Sequence, residues 1–314
     1  MKKLASSFIL MSVLGISSAN AQAAASGSIL FNVVVPSLKS GFRFMLEGNY
    51  LRPSNSDLSY ATTTTTTDST TDVQTTSLMP DYNFGFRVGL AYAFKHSGND
   101  VQLNWTHFDH ATTKYGSVAS GAGTVVTTAE GSNITINSPT QTISPNSQAT
   151  YKHEAVDLDV GQYVDLNSRL RARFFGGLRY AYLQNDATDQ YVSTDSALSA
   201  NNYTISQQLN ASFSGLGPRL GIEGHYDMDN NFGFVARLAN AWLAGDSRIV
   251  PEIDAKLGLD CIIPFQKGAY PMIVEAGYET TDYLNVFQRT YSDGSVVTSN
   301  SAISGPYVSL NLRM

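Results

Sequence analysis

Cysteine is nearly missing from this chain. Cys261 is the only one in 314 residues, so a disulfide framework within one chain is excluded. The bland expectation for Cys261 is a small apolar side chain on a strand face, and the sharper one is a thiol that links subunits in an oxidising compartment. Charge is scarce as well: Asp, Glu, Lys and Arg make up 15% of the residues, against about 25% in ordinary soluble domains. The formal net charge is −6, and a surface of that sign does not attract nucleic acid. Long apolar runs are absent too. No 18 consecutive apolar residues occur, which excludes a membrane protein built on spanning helices. There is no metal-ligand spacing, no phosphate-cradling glycine loop and no Gly-x-Ser-x-Gly elbow, so neither a metal nor a cofactor is expected.

Aromatic residues and glycine are plentiful, with 15 Phe, 17 Tyr and 25 Gly. The N-terminus opens with Lys2 and Lys3, continues as an apolar run from Leu4 to Ile16, and ends in overlapping Ala-x-Ala sites at Ala19, Ala21 and Ala23. These are the three parts of a secretory signal peptide over residues 1–23, with cleavage after Ala23 or two residues earlier. An exported chain without an apolar helix is either a soluble secreted protein or an outer-membrane barrel, and strand periodicity separates the two.

The periodicity is clearest from Tyr82 to Phe94. Tyr82, Phe84, Phe86, Val88, Leu90, Tyr92 and Phe94 alternate with Asn83, Gly85, Arg87, Gly89, Ala91 and Ala93. A period of two puts one set on each face of a strand. The same pattern recurs about ten times from Gly41 onward, and the connections alternate mostly between long polar loops and short turns. Only the link near Gly245 is short where a long one is due. Such asymmetry is expected of an antiparallel up-and-down transmembrane β-barrel with short periplasmic turns and long extracellular loops, in the outer membrane of a Gram-negative bacterium. From Phe232 to Trp242 is ten residues, about 33 Å of strand, which at a tilt of roughly 40° covers the apolar band of about 25 Å. Aromatic belts are expected at Tyr82, Tyr92, Phe94, Trp105, Tyr226, Phe232, Trp242, Tyr270 and Tyr278, in contact with outer-membrane lipid.

The other face would line the lumen. It carries the acids Glu47, Asp157, Asp159, Glu223, Glu252, Asp254, Asp260, Glu275 and Glu279. Opposite them stand Arg43, Arg87, Arg169, Arg171, Arg173, Arg179, Arg219, Arg237 and Lys256. If the turn between the fourth and fifth strands is the three residues Asp165 to Asn167, Asp159 faces Arg173, with Asp157 diagonal to it. Arginines facing acids across water would select small hydrophilic solutes or ions by charge; the competing expectation is that these ions pair and fill a narrow barrel. The loop regions 53–81, 112–148, 185–206 and 284–300 are polar. The first holds six threonines in a row, Thr62 to Thr67, and is expected to be a mobile, water-facing loop. Residues 24–40 fit a plug, an extra strand or a periplasmic arm. His107, Asp109, His110 and His153 near the outer rim raise the weaker expectation of a rim protease, although rim His and Asp are ordinarily just solvated.

Four segments carry a family resemblance: Gly41–Tyr50 (GFRFMLEGNY), Phe84–Tyr92 (FGFRVGLAY), Phe175–Tyr180 (FGGLRY) and Gly215–Gly221 (GLGPRLG). Over about Gly41 to Met314 the chain resembles the Legionella-type major outer membrane protein family of pore-forming barrels. The resemblance implies an outer-membrane porin, open to homo-oligomerisation, and supplies no catalytic residues. Where many barrels end in an aromatic, this sequence ends in Met314. The expectations are therefore a non-enzymatic porin first, then a closed barrel acting as a surface adhesin or structural protein through its loops, which would bind a host or surface ligand, and last a rim protease.

Overall fold

The computed structural model describes residues 33–55, 59–67, 70–228, 231–265, 270–290 and 296–314. The expected signal peptide and the first part of the 24–40 segment lie outside them, as do residues 229–230 and 266–269, which belong to two of the expected short turns, and the side chain of the expected belt residue Tyr270.

Ten long strands build the barrel: β1 (Gly41–Asn55), β2 (Asn83–Ala93), β3 (Asn99–Tyr115), β4 (Gln141–Asp165), β5 (Leu170–Asp195), β6 (Tyr203–Asp227), β7 (Phe232–Gly245), β8 (Arg248–Phe265), β9 (Tyr270–Thr290) and β10 (Val296–Arg313). Each pairs antiparallel with the next, and β10 pairs back onto β1 with Leu310 opposite Leu46, so the sheet closes and no barrel edge is left open. The all-β transmembrane architecture expected from the alternation is the architecture observed. Its wall sorts as the period of two demands. Phe44, Leu90, Leu103, Leu158, Phe174, Leu220, Leu238, Leu257 and Val308 face outward and exposed, while Glu47, Arg87, Asp157, Arg179, Arg219 and Glu252 are buried inside. Belt residues Tyr82, Phe94, Trp105, Tyr226, Phe232, Trp242 and Tyr278 are all exposed on the outer wall, and Tyr92 is half-buried among Phe42 and Phe94.

The short link near Gly245 is a two-residue hairpin. Gly245 pairs with Arg248, and both Asp246 and Ser247 have positive φ, 48° and 65°, the backbone of a type I′ turn whose twist suits paired strands.

Three expectations about loops and register are corrected. The polar segments are largely strand. β4, β5 and β6 run 25, 26 and 25 residues, far beyond the 9–11 or so that cross a bilayer, so this side of the barrel rises well out of the membrane. The threonine tract, expected to be mobile, is Ser59–Thr67, the second strand of a four-stranded sheet completed by Thr70–Ser77, Val125–Thr128 and Asn133–Thr135. β-Branched threonines suit a pleated surface and pair across strands, and this sheet covers a second apolar core around Tyr60, Leu78, Val126, Ile134, Ile143 and Tyr191. Finally, the β4–β5 turn is centred two residues later than expected. Asn167 Oδ1 accepts from the backbone amides of Arg169 and Leu170 at 2.8 and 2.7 Å, an Asx-type turn that sets Leu166 against Leu170. The parity of the register is as expected, but the pairing is Asp157 with Arg179 and Asp159 with Gly177.

Both ends of the described chain lie on the short-turn side. Residues 33–40 lie against the periplasmic turns: Val34 bridges Asp165, and Leu38 exchanges backbone hydrogen bonds with Ser97 and His96.

Candidate functional site

The inward face is stacked in layers. At the periplasmic end Arg173 on β5 donates Nε to Asp100 on β3 at 2.9 and 3.1 Å, and Tyr163 on β4 donates to the same carboxylate. Arg43, part-exposed, hydrogen-bonds Tyr163 and stands 3.7 Å from Asp100. Gly161 makes this possible: an added Cβ would lie 2.5 Å from Arg173 Nε, so only a bare backbone lets the guanidinium cross β4. His225 and Asp260 meet at 2.9 Å beside this layer.

Above it lies the densest charge. Arg179 holds Asp157 with two hydrogen bonds, Nε at 2.6 Å and Nη2 at 3.0 Å, and also reaches Glu252 and Asp254. Arg219 donates to Asp159 at 2.7 Å and to Asp254 at 2.9 Å. On the opposite wall Arg87 bridges Glu47 at 2.7 Å and Glu279 at 3.0 Å while Nε is held by Thr106. Lys256 pairs with Glu47, stands 3.8 Å from Glu275 and lies 3.7 Å above the Tyr307 ring. Phe175 sits amid three guanidiniums, Arg173, Arg219 and Arg237, at 5.0–5.3 Å, where its ring face attracts cations that carboxylates alone would have to balance. Carboxylates outnumber cations in this interior. Several buried polar atoms, among them Asp159 Oδ1, Glu252 Oε2 and Arg219 Nε, have no partner among the described residues.

Next toward the outside comes an apolar collar. Leu51, Phe108, Tyr151, Leu183, Phe213, Leu243, Val250, Tyr283, Phe287 and Ile303 form one cluster, none more than 4% exposed. They come from every barrel strand except β2. Its two polar tips are satisfied inside, Tyr151 on Ser301 at 2.5 Å and Tyr283 on His153 at 2.8 Å. Layers of buried side chains thus occupy the cross-section, first ionic and then apolar.

The residues expected to line the lumen mostly do face it, but as a packed interior rather than the wall of a wide channel. Arg169 and Arg171 are the exceptions: Arg169 is exposed in the β4–β5 turn and Arg171 is exposed at the rim, held by Asp165 at 2.6 Å. The expected Asp159–Arg173 pair does not form, because the turn shift sends Asp159 to Arg219 and leaves Arg173 to Asp100. Asp100, Tyr163, Phe175 and His153 were missed as interior groups. Parity alone could have found Phe175, which shares a face with Arg173 and Arg179. The four rim residues do not converge. His107 and Asp109 are on the outer wall, His107 against Glu154 at 2.5 Å with Trp105 donating to the same carboxylate, and Asp109 near Lys152, whereas His110 and His153 point inward and are buried. Among the described residues no cluster of His, Cys, Asp or Glu is arranged to hold a metal ion. Cys261 is half-buried and unpaired.

Comparison with known proteins adds a family. The model of the family described as the Legionella pneumophila major outer membrane protein precursor matches residues 34–314. A search of curated proteins finds no match. Among solved structures, the outer membrane protease OmpT from Escherichia coli shares 8% identity over 88% of this chain and 98% of its own, at a TM-score of 0.41. The CymD monoaromatic hydrocarbon channel shares 8% over 88% of each chain at 0.30, and the Pseudomonas putida toluene transporter TodX 6% over 87% and 89% at 0.20. Likeness this distant carries no functional argument.

Proposed function

The chain belongs to the Legionella major outer membrane protein family and is a β-barrel of the outer membrane of a Gram-negative bacterium, and from that premise we propose that it is a closed barrel that holds an ordered β-rich head at the cell surface. The observation that carries this is the apolar collar from Leu51 to Ile303 above the ion-paired layer. A collar of packed aliphatic and aromatic side chains excludes hydrated ions, whose transfer into such surroundings is costly. The head supplies the contact surface for a surface ligand, with Tyr115, Val118 and Leu198 exposed on it.

A second reading, passive passage of small cations, is favoured by the excess of carboxylates and by the unpartnered polar atoms in the interior. It requires the collar to part. Conductance across a planar bilayer separates the two. Wild-type protein is expected to give no steady steps, and Phe213→Ala with Leu243→Ala is expected to open them by hollowing the collar. Steady wild-type conductance at low voltage would overturn the closed barrel and leave the pore standing.

A further inference from the structure

Where the lipid-facing wall meets the outer head, a groove of about 570 Å³ opens between β1, β3 and the segment that joins β1 to β2. Tyr50 and Tyr82 form one side, stacked at 5.3 Å with 20° between their planes, and both belong to the outward face that contacts lipid. Arg52 comes two residues after Tyr50 on that same outward face and has no ion-pair or hydrogen-bond partner among the described residues. Lys114 lies across the groove, 3.0 Å from Asp81, which leaves the local charge positive by the Arg52 guanidinium. Tyr115, 81% exposed, continues the wall toward solvent. Tyr60 lines the inner side at 2% exposure, and its hydroxyl also has no partner among the described residues.

An aromatic wall continuous with the lipid belt, a free guanidinium at headgroup height and an unused hydroxyl form a composite site. Tyrosine faces pack on sugar rings, and guanidinium binds phosphate with paired, charge-assisted hydrogen bonds. Basic pockets on membrane proteins take lipid headgroups for the same reason. We propose that this groove binds the phosphorylated sugar headgroup of an outer-leaflet glycolipid, with Arg52 on the phosphate and Tyr50 and Tyr82 against the saccharide. Burial pushes the Tyr60 phenol above the usual tyrosine range, so it stays a donor. Lys114 remains with Asp81 and supports the site without being spent on the ligand.

The test uses the full chain folded in detergent micelles, titrated with a bisphosphorylated diglucosamine glycolipid and read by native mass spectrometry. Wild type is expected to bind, Arg52→Gln to lose about tenfold or more in affinity, Arg52→Lys to keep most of it, and Lys152→Gln elsewhere on the outer wall to bind as wild type does. The dephosphorylated lipid should bind as weakly as it does to Arg52→Gln. Unchanged binding by Arg52→Gln, equal binding of the dephosphorylated lipid, inorganic phosphate bound as tightly as the lipid, or no lipid binding by wild type would each overturn the proposal. The gel shift of unheated against heated protein establishes that each variant is folded.

Discussion

Arg179→Met is the substitution on which the interior stands or falls. Arg179 is 1% exposed and holds Asp157 by two hydrogen bonds at 2.6 and 3.0 Å, Glu252 by a third, and Asp254 by a longer contact at 3.5 Å. Methionine keeps much of the volume and removes every donor. Asp254 retains Arg219 at 2.9 Å, but Asp157 is left with Arg219 only at 3.6 Å, and Glu252 loses its hydrogen-bonded cation. Breaking one side of a buried ion pair costs about 3–5 kcal/mol, mostly from the charge left behind. With two carboxylates stranded, the upper part of that range is expected, about 4–5 kcal/mol. The origin is tested by removing the stranded charges as well: in Arg179→Met/Asp157→Leu/Glu252→Leu the loss should fall to within about 1 kcal/mol of wild type, since replacing buried ions by apolar groups of similar volume is near neutral. The assay is equilibrium urea unfolding in lipid vesicles, followed by fluorescence of the outer-wall residues Trp105 and Trp242 and by the gel shift of folded protein. A loss under about 1 kcal/mol for the single variant, or a triple variant less stable than the single one, would refute the picture of a dry, ion-paired interior.

Other outcomes follow from local geometry. Gly177→Ala should cost about 2 kcal/mol in the same unfolding assay, because its Cβ would fall 1.9 Å from the Leu158 carbonyl oxygen on β4, whereas Gly48→Ala, with nothing within 4 Å, should stay within about 0.5 kcal/mol of wild type. Ser247→Gly should raise stability by about 1 kcal/mol by relieving a positive φ of 65°; a loss would mean that the hairpin is not type I′ in the membrane. In the outer head, hydrogen bonds from Thr140, Asn201 and the amides of Ala197 and Leu198 hold the Asp195 carboxyl well below the usual range. A depressed carboxyl contributes order that is complete above the ordinary carboxylate value and is lost as pH falls through that value toward the folded one. Hydrogen exchange at Ala197 and Leu198 should therefore speed up only in strong acid, and Asp195→Asn should make it fast and largely pH-independent beyond the intrinsic chemistry.

Much of the wall was legible because alternation is a local property. Arg87 between Phe86 and Val88 must point away from the lipid whatever its partner, and all the long strands repeat that logic. The outer head departs from expectation for a related reason: Thr62 to Thr67 carry no apolar alternation, so composition points to a loop, whereas the tract pairs with Thr70–Ser77 on one side and with the distant Val125–Thr128 on the other. Arg169 and Arg171 follow the parity of β5 but stand at its periplasmic end, Arg169 in the turn and Arg171 between Asp165 and His225, where the inward face meets solvent. The Asp159–Arg173 pair failed on two residues of turn position, a choice made by one Asn167 side chain.

The sequence by itself determined the strand period, the two faces of each strand and the charge content of the interior, because each depends only on neighbours in the chain. Which acid meets which base was decided by tertiary structure. Glu47 meets Lys256, Arg87 meets Glu279, and the collar gathers Leu51 with Ile303. Those partners are brought together only when β10 closes on β1, and the radius of the closed ring sets whether facing side chains line water or touch one another.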